Sequence, residues 1–209
     1  MHPTNHTKAG LADGGRVFGA RANSFSPDLV EVYGGLGLDF AWLDIEHGGP
    51  SIDDATTLGH LVRAATVGDI DLMIRLPSND PAVVRKTLDT DHEDASVLVG
   101  TMIENRTAVE NIEEILSVPG VGFAYLGPGD LAVSLGHPGE TDHPEVQEAV
   151  ETAREACIEA GVPIGVSTTS VDGAREALDA GHRIVRLGDE MEAVRELVGE
   201  RLAAVGDGD

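Results

Sequence analysis

The sequence predicts an α/β protein whose parallel strands form a (β/α)₈-type (TIM) barrel, shortened to about seven βα units. Three observations predict it. Short apolar runs alternate with amphipathic segments from Val17 onward, the pattern of strands joined by crossover helices. Only 3% of the 209 residues are aromatic while 41% are hydrophobic, so the core rests on Val, Leu, Ile and Ala, as in parallel strands covered by helices. Ionisable side chains close several apolar runs, at Glu46 and His47, Arg75, Glu104 and Asp130. They come from different strands, as at the carboxyl end of a barrel, whereas a doubly wound sheet gathers ligands at one switch point. A typical barrel takes about 250 residues, and this chain is shorter.

The elements follow in order. "VFGARA" (17–22) reads as the first strand, and Ser26-Pro27-Asp28 opens a helix, since Ser caps well and Pro fits the first helical position. That helix stops near "GGLG" (34–37), where glycines supply a left-handed cap. Strands are then expected at 40–46, 71–77, 97–104, 122–127, 163–167 and 183–188, with helices over 51–65, 80–89, 106–118, 143–161, 170–181 and 190–204. Residues 1–15 read as a flexible tail, 16–205 as one barrel domain and 206–209 as a frayed end.

Charge excludes several functions. There are 37 acidic against 14 basic residues, a net charge of −23, and Lys occurs only at Lys8 and Lys86. Nucleic acid and anionic membranes both require basic surface, so neither is an expected partner. Abundant acid with almost no Lys fits a soluble, halophilic protein of a high-salt cytoplasm. The single cysteine, Cys157, excludes an internal disulfide framework and, inside the helical pattern "AREACIEAG", reads as a buried structural thiol. No run approaches ~18 apolar residues, and the first residues lack the apolar stretch of a signal peptide. The expected location is cytoplasmic.

Four stretches hold the candidate chemistry: "DIEHGGP" (44–50), "IRLPSNDP" (74–81), "MIEN" (102–105) and "GPGDL" (127–131). Glu104 and Asp130 end what should be neighbouring strands, and two carboxylates with waters and a chelating ligand suit a hard Mg²⁺- or Mn²⁺-type cation. In so acidic a chain they also read as plain surface carboxylates. Asp130 follows Gly127-Pro128-Gly129, where backbone N–H groups can approach an anion such as a substrate carboxylate. Arg75 can stabilise a developing enolate oxygen or simply pair with Asp44 or Glu46. His47 is the proton carrier suited to neutral pH, although a lone histidine after a strand is commonly structural. His60, His92, His137, His143 and His182 have no comparable company.

Together these stretches resemble the HpcH/HpaI aldolase family, the class II pyruvate aldolases of TIM-barrel fold, which is related to citrate lyase beta and the 2-oxo-3-deoxy-sugar-acid aldolases. The resemblance runs from about Val17 to Leu202. "DIEHGGP" looks like the family's D-x-E-H-x-x, "IRLPSNDP" like its R-x-x-x-N-D-P, and "GPGDLAVSLG" like its G-P-x-D-L-S-x-x-x-G. The resemblance implies a lyase that uses a divalent metal (Mg²⁺, Mn²⁺ or Co²⁺) held by Glu104 and Asp130. Its substrates would be a 2-oxo acid and an aldehyde. Backbone amides around Gly129 and Asp130 would hold the carboxylate and Arg75 the keto oxygen. His47 would take the C4-hydroxyl proton, oriented by Asp89, as the C3–C4 bond breaks to an aldehyde and pyruvate enolate. It further implies a homo-oligomer that exchanges a C-terminal helix.

Two departures stand out. "LDTDHEDASVLVGTMIEN" passes almost directly from the helix at 80–89 to the strand ending in Glu104, so about one βα unit is absent. Met102 stands where the family carries Gln. Seven strands leave an unpaired edge or a gap. The alternative readings are a catalytically degenerate barrel serving as an oligomer subunit or binding module, and a lyase cleaving a malyl- or citryl-type CoA thioester.

Overall fold

The computed structural model describes residues 5–12, 14–49, 54–78, 80, 83 and 97–206. Its elements are α1 (His6–Ala12), β1 (Val17–Arg21), α2 (Pro27–Gly35), β2 (Phe40–Asp44), α3 (Ala55–Gly68), β3 (Asp71–Arg75) and β4 (Val99–Ile103). There follow α4 (Arg106–Glu110), α5 (Ile112–Leu116), β5 (Val121–Leu126), α6 (Pro128–Leu135) and α7 (Pro144–Ala160). The chain continues through β6 (Ile164–Thr168), α8 (Val171–Asp179), β7 (Ile184–Asp189) and α9 (Glu190–Gly206).

All seven expected strands are present and parallel, in the order β3-β2-β1-β7-β6-β5-β4. The sheet is a TIM-like barrel left open. Its outermost strands, β3 and β4, are consecutive among the described elements and pair on one side only. The opening therefore falls where the sequence lacks a βα unit. The helix expected over 80–89 falls largely outside the described residues.

Strand alternation divides the side chains between two faces. Val17, Phe40, Trp42, Phe123, Tyr125 and Ile184 form one buried cluster with Leu11, joined by Met73, Leu98 and Met102, and this is the barrel interior. The intervening residues feed two outer clusters. Ala20, Ala41 and Leu43 pack under α2 and α3, whereas Ile103, Ala124, Leu126 and Ile164 pack under α5 and α7. Four aromatic rings, Phe40, Trp42, Phe123 and Tyr125, fill the interior, and glycines make room beside them. A Cβ on Gly19 would stand 2.3 Å from the Phe40 ring, and one on Gly100 2.2 Å from that of Phe123.

Two local expectations require correction. Residues 1–15 are not all tail: α1 buries Thr7 and Leu11, and Leu11 closes the floor of the interior cluster. Asp71 Oδ2 accepts from the Thr7 amide at 2.6 Å, and Arg183 donates from Nε to the Gly15 carbonyl at 3.0 Å. One large apolar side chain on a seven-residue helix gives no readable periodicity. The segment 106–118 is not one helix but two, parted at Asn111, whose side-chain amide donates to the Thr107 carbonyl at 2.8 Å. Such short polar side chains offer backbone groups an alternative to the helical ladder.

Cys157 lies on the buried face of α7, and burial pushes its thiol up to about 11. It is the inert structural thiol expected. No described helix is long and apolar enough to cross a membrane.

Candidate active site

The site starts from one register. Asp44 ends β2 directly beside Arg75 at the end of β3, and both side chains follow the inward-facing positions of their strands. Asp44 is only 2% exposed. Its Oδ1 accepts from Arg75 Nε at 3.0 Å, and its Oδ2 accepts from Arg75 Nη2. Arg21, at the end of β1, brings its Nη2 to 3.3 Å from the same Oδ2. The backbone N–H groups of Glu46 and His47 also donate to Oδ1, each at 3.1 Å. That carboxylate folds the chain back after the strand, which explains why Glu46 and His47 sit where they do.

Burial alone would raise the Asp44 pKa, but the Arg75 hydrogen bond, the His47 N–H and the charges of Arg75 and Arg21 outweigh it. The carboxyl therefore titrates below its ordinary range. Arg75 is held charged by the same contacts.

From this anchor Arg75 reaches the other candidate residues. Its Nε lies 3.3 Å from Glu46 Oε2 and its Nη1 3.7 Å from Glu104 Oε2. Its Nη2 also donates to Nδ1 of His47. A ring nitrogen that accepts is unprotonated, so this contact places the neutral imidazole's proton on Nε2. The Asp44 and Glu46 carboxylates each stand 3.8 Å from Nδ1.

Glu104 follows β4. Its Oε2 is buried and has no hydrogen-bond partner. Burial first, then the negative charge of Asp130, push its carboxyl above the ordinary range against the opposing pull of Arg75. Gly127 permits this approach, for a Cβ there would lie 2.8 Å from that of Glu104. Pro128 starts α6 with no side-chain cap at Gly127, which leaves the first-turn amides at Gly129 and Asp130 without side-chain partners of that kind. Gly129 and Asp130 are exposed there, with Asp130 in the first turn.

His47, Arg75, Glu104 and Asp130 thus gather at the carboxyl ends of β2, β3, β4 and β5. Asp89 lies outside the described residues. Glu104 and Asp130 offer carboxylate oxygens, one of them without a hydrogen-bond partner, the donor type that hard cations take. Two other groups have metal-like spacing, Asp44 with Glu46 and His47, and His137 with His143 and Glu145. The first is engaged by Arg75. In the second Glu145 already binds Arg106 and His137, while the two rings stack with centroids 3.5 Å apart. Parallel stacked rings do not converge their lone pairs on one ion. The sequence offers the Arg75–Asp44 pairing but not the sharing of Asp44 with Arg21 or the turn that Asp44 holds. Asp44 and Arg21 both stand at inward positions at strand ends, as β1 and β2 alternation indicates, but pairing them requires the sheet order.

A family model described as HpcH/HpaI aldolase/citrate lyase matches residues 82–196, a stretch containing Glu104 and Asp130. The 5-keto-4-deoxy-D-glucarate aldolase of Klebsiella pneumoniae subsp. pneumoniae is 27% identical over 240 aligned positions, covering 91% of this chain and 93% of that protein. The hydroxypyruvate/pyruvate aldolase of Roseobacter denitrificans is 24% identical over 88% of this chain and 90% of its own. Among solved structures, an HpcH/HpaI aldolase/citrate lyase family protein from Burkholderia cenocepacia superposes with a TM-score of 0.88 at 22% identity, covering 97% of this chain and 99% of that one. An alignment of 240 positions exceeds a chain of 209 residues, so the Klebsiella protein carries residues that this chain lacks.

Replacing Asp44 by Asn leaves two arginines facing a neutral amide. The expected cost is about 3 kcal/mol, since removing one partner of a buried pair strands the other charge, read as a lower midpoint in urea. The depressed carboxyl stabilises the fold above the unfolded value of about 4, and that contribution disappears as pH falls through the folded value. Acid should therefore destabilise the wild type more steeply below about pH 4 than Asp44→Asn.

Proposed function

The chain belongs to the HpcH/HpaI aldolase/citrate lyase family, and on that premise we propose that it is a divalent-metal-dependent aldolase. Its reaction cleaves or forms the C3–C4 bond of a 4-hydroxy-2-oxo acid, with pyruvate or a related 2-oxo acid and an aldehyde as the other side. The observation that carries this reading is the orphaned Glu104 oxygen beside Asp130, 3.7 Å from an arginine that also contacts His47. A donor set of carboxylates fits Mg²⁺, Mn²⁺ or Co²⁺, which would supply Lewis acidity and a template for the keto and carboxylate oxygens.

The chain's own groups do the rest. Amides of Gly129 and Asp130 hold the 2-oxo acid carboxylate at the amino end of α6. Arg75 presents positive charge to the keto oxygen, which becomes negative as the C3–C4 electrons move into C2–C3. Asp44 fixes that guanidinium in advance, so little reorganisation accompanies the charge movement. His47 takes the proton of the C4 hydroxyl at Nε2, the C4–O bond becomes the aldehyde carbonyl, and C3 is protonated to give the methyl group. In that direction the ring begins with its proton on Nδ1, turned to the Asp44 and Glu46 oxygens. In the addition direction the imidazolium delivers its Nε2 proton to the new alkoxide and is left neutral with its proton on Nδ1. Asp89 keeps its proposed role as a carboxylate orienting His47.

Self-association belongs to the same proposal. Val194, Leu197, Val198, Leu202 and Val205 of α9 are 49% to 80% exposed, and the helix packs chiefly against β7. A second copy of this chain is the natural cover for such a stripe. Light scattering should give a mass above 21.8 kDa, and Val198→Glu should lower it. A monomeric wild type contradicts this.

The catalytic reading is tested by pyruvate release from 4-hydroxy-2-oxo acids with Mn²⁺ and with EDTA, after purification in molar KCl. Release should require the metal and fall at least about 10²-fold in Glu104→Ala, the scale of losing a main charge-stabilising contact. Release unchanged by that substitution sinks the proposal.

A further inference from the structure

Beneath the mouth, the barrel interior contains donors without acceptors. Arg186 stands on β7 two residues after Ile184, a member of the interior cluster, and so on the same face. It pairs in register with Gly19 of β1 and Ser167 of β6. Its guanidinium lies over Trp42 of β2, 5.7 Å from the ring centroid. Its Nε is buried without a hydrogen-bond partner, and no carboxylate lies within ion-pair distance among the described residues. Trp42 is 4% exposed and its Nε1 is likewise unpartnered. Arg21 Nε is a third such donor. Tyr125 and Ser167, the hydroxyl neighbours, are hydrogen-bonded to each other at 2.9 Å.

Acid is not scarce in a chain with 37 acidic residues, yet Asp44 is already shared by Arg21 and Arg75, and Glu104 stands against Arg75. Arg186 thus has no carboxylate partner among the described residues, in a protein of net charge −23. Indole and guanidinium N–H groups donate only, and buried donors lacking an acceptor are costly. An anion satisfies both the charge and the hydrogen bonds.

We propose that Arg186, Trp42 and Arg21 form an anion subsite that binds a carboxylate on the aldehyde half of the substrate. The assignment to that half rests on the aldolase reading above. There the 2-oxo acid carboxylate sits at Gly129 and Asp130, after β5, whereas Arg186 and Arg21 stand on β7 and β1, with β6 between. Two anion positions, one after β5 and one among β7, β1 and β2, suit a substrate with a carboxylate at each end. Arg186 is a specificity-determining residue in this account and takes no part in proton transfer.

Trp42 is the only tryptophan, so its fluorescence reports on the subsite without added label. Titration with succinate at constant ionic strength should change its emission saturably, while butane-1,4-diol should not. Arg186→Gln should weaken succinate by about tenfold or more, the scale of a lost charge-assisted hydrogen bond, and Arg186→Lys should restore part of it. In aldol addition to pyruvate, Arg186→Gln should lower kcat/KM for glyoxylate by about tenfold more than for glycolaldehyde, with the difference in KM.

An emission that ignores succinate, or a response that Arg186→Gln leaves intact, overturns the subsite and leaves water as the donors' partner. Equal responses to chloride, phosphate and succinate, with no loss specific to glyoxylate, mean an adventitious ion only and overturn the substrate assignment. If the wild type binds succinate but neither exchanges pyruvate methyl hydrogens nor adds aldehydes, the aldolase reading falls and the subsite stands.

Discussion

Asp44 is a buried carboxylate shared by two arginines, and the mouth of the sheet is arranged around that sharing. An isolated buried charge is expensive, so Asp44 persists only with Arg75 and Arg21 aimed at it. Its remaining acceptor capacity turns the chain after β2 and delivers Glu46 and His47 to the mouth. Arg75, fixed at Nε and Nη2, can direct Nη1 toward Glu104 across the interior. One interaction thereby joins β1, β2, β3 and β4, the last across the open side of the sheet. Its net contribution to stability can be small; its consequence is a guanidinium fixed beside Glu104, where the proposed aldol reaction would develop negative charge.

The strands were legible because each is a short apolar run bounded by turn residues, and burial on both faces demands that composition. Cys157 was legible for the same reason, lying on the apolar stripe of a long helix. His47, Arg75, Glu104 and Asp130 could be singled out because a strand's end needs no ionisable group for folding. What sequence could not reveal was pairing. Arg75 had two readings, an enolate partner or a salt bridge to Asp44 or Glu46, and the structure makes both bridges. Arg186 attracted no notice, since one arginine in "RIVRLG" carries no pattern, and its lack of a partner is a tertiary fact. The floor helix α1 and the break at Asn111 were missed because each depends on one or two contacts.

Charge has two scales in this molecule. Surface acid sets solubility and repels polyanions, whereas the barrel interior concentrates Arg21, Arg75 and Arg186. A small anionic substrate feels the interior field at close range, where screening is weakest. The opening between β3 and β4 lies next to this region, because both edge strands carry residues of the site at their ends. Even in a chain shortened there, Arg75 reaches Glu104 directly, with no strand between them among the described residues.

The most direct measurement follows exchange of pyruvate methyl hydrogens in D₂O by NMR, with Mg²⁺ and with EDTA, in the wild type and in Asp44→Asn. Exchange isolates enolate formation from the aldehyde's identity. The account predicts exchange that requires the metal and falls about 10²-fold in folded Asp44→Asn, since Arg75 loses its fixed position. Wild-type exchange rates in a folded Asp44→Asn protein would contradict it, because the anchored arginine would then have no part in the chemistry.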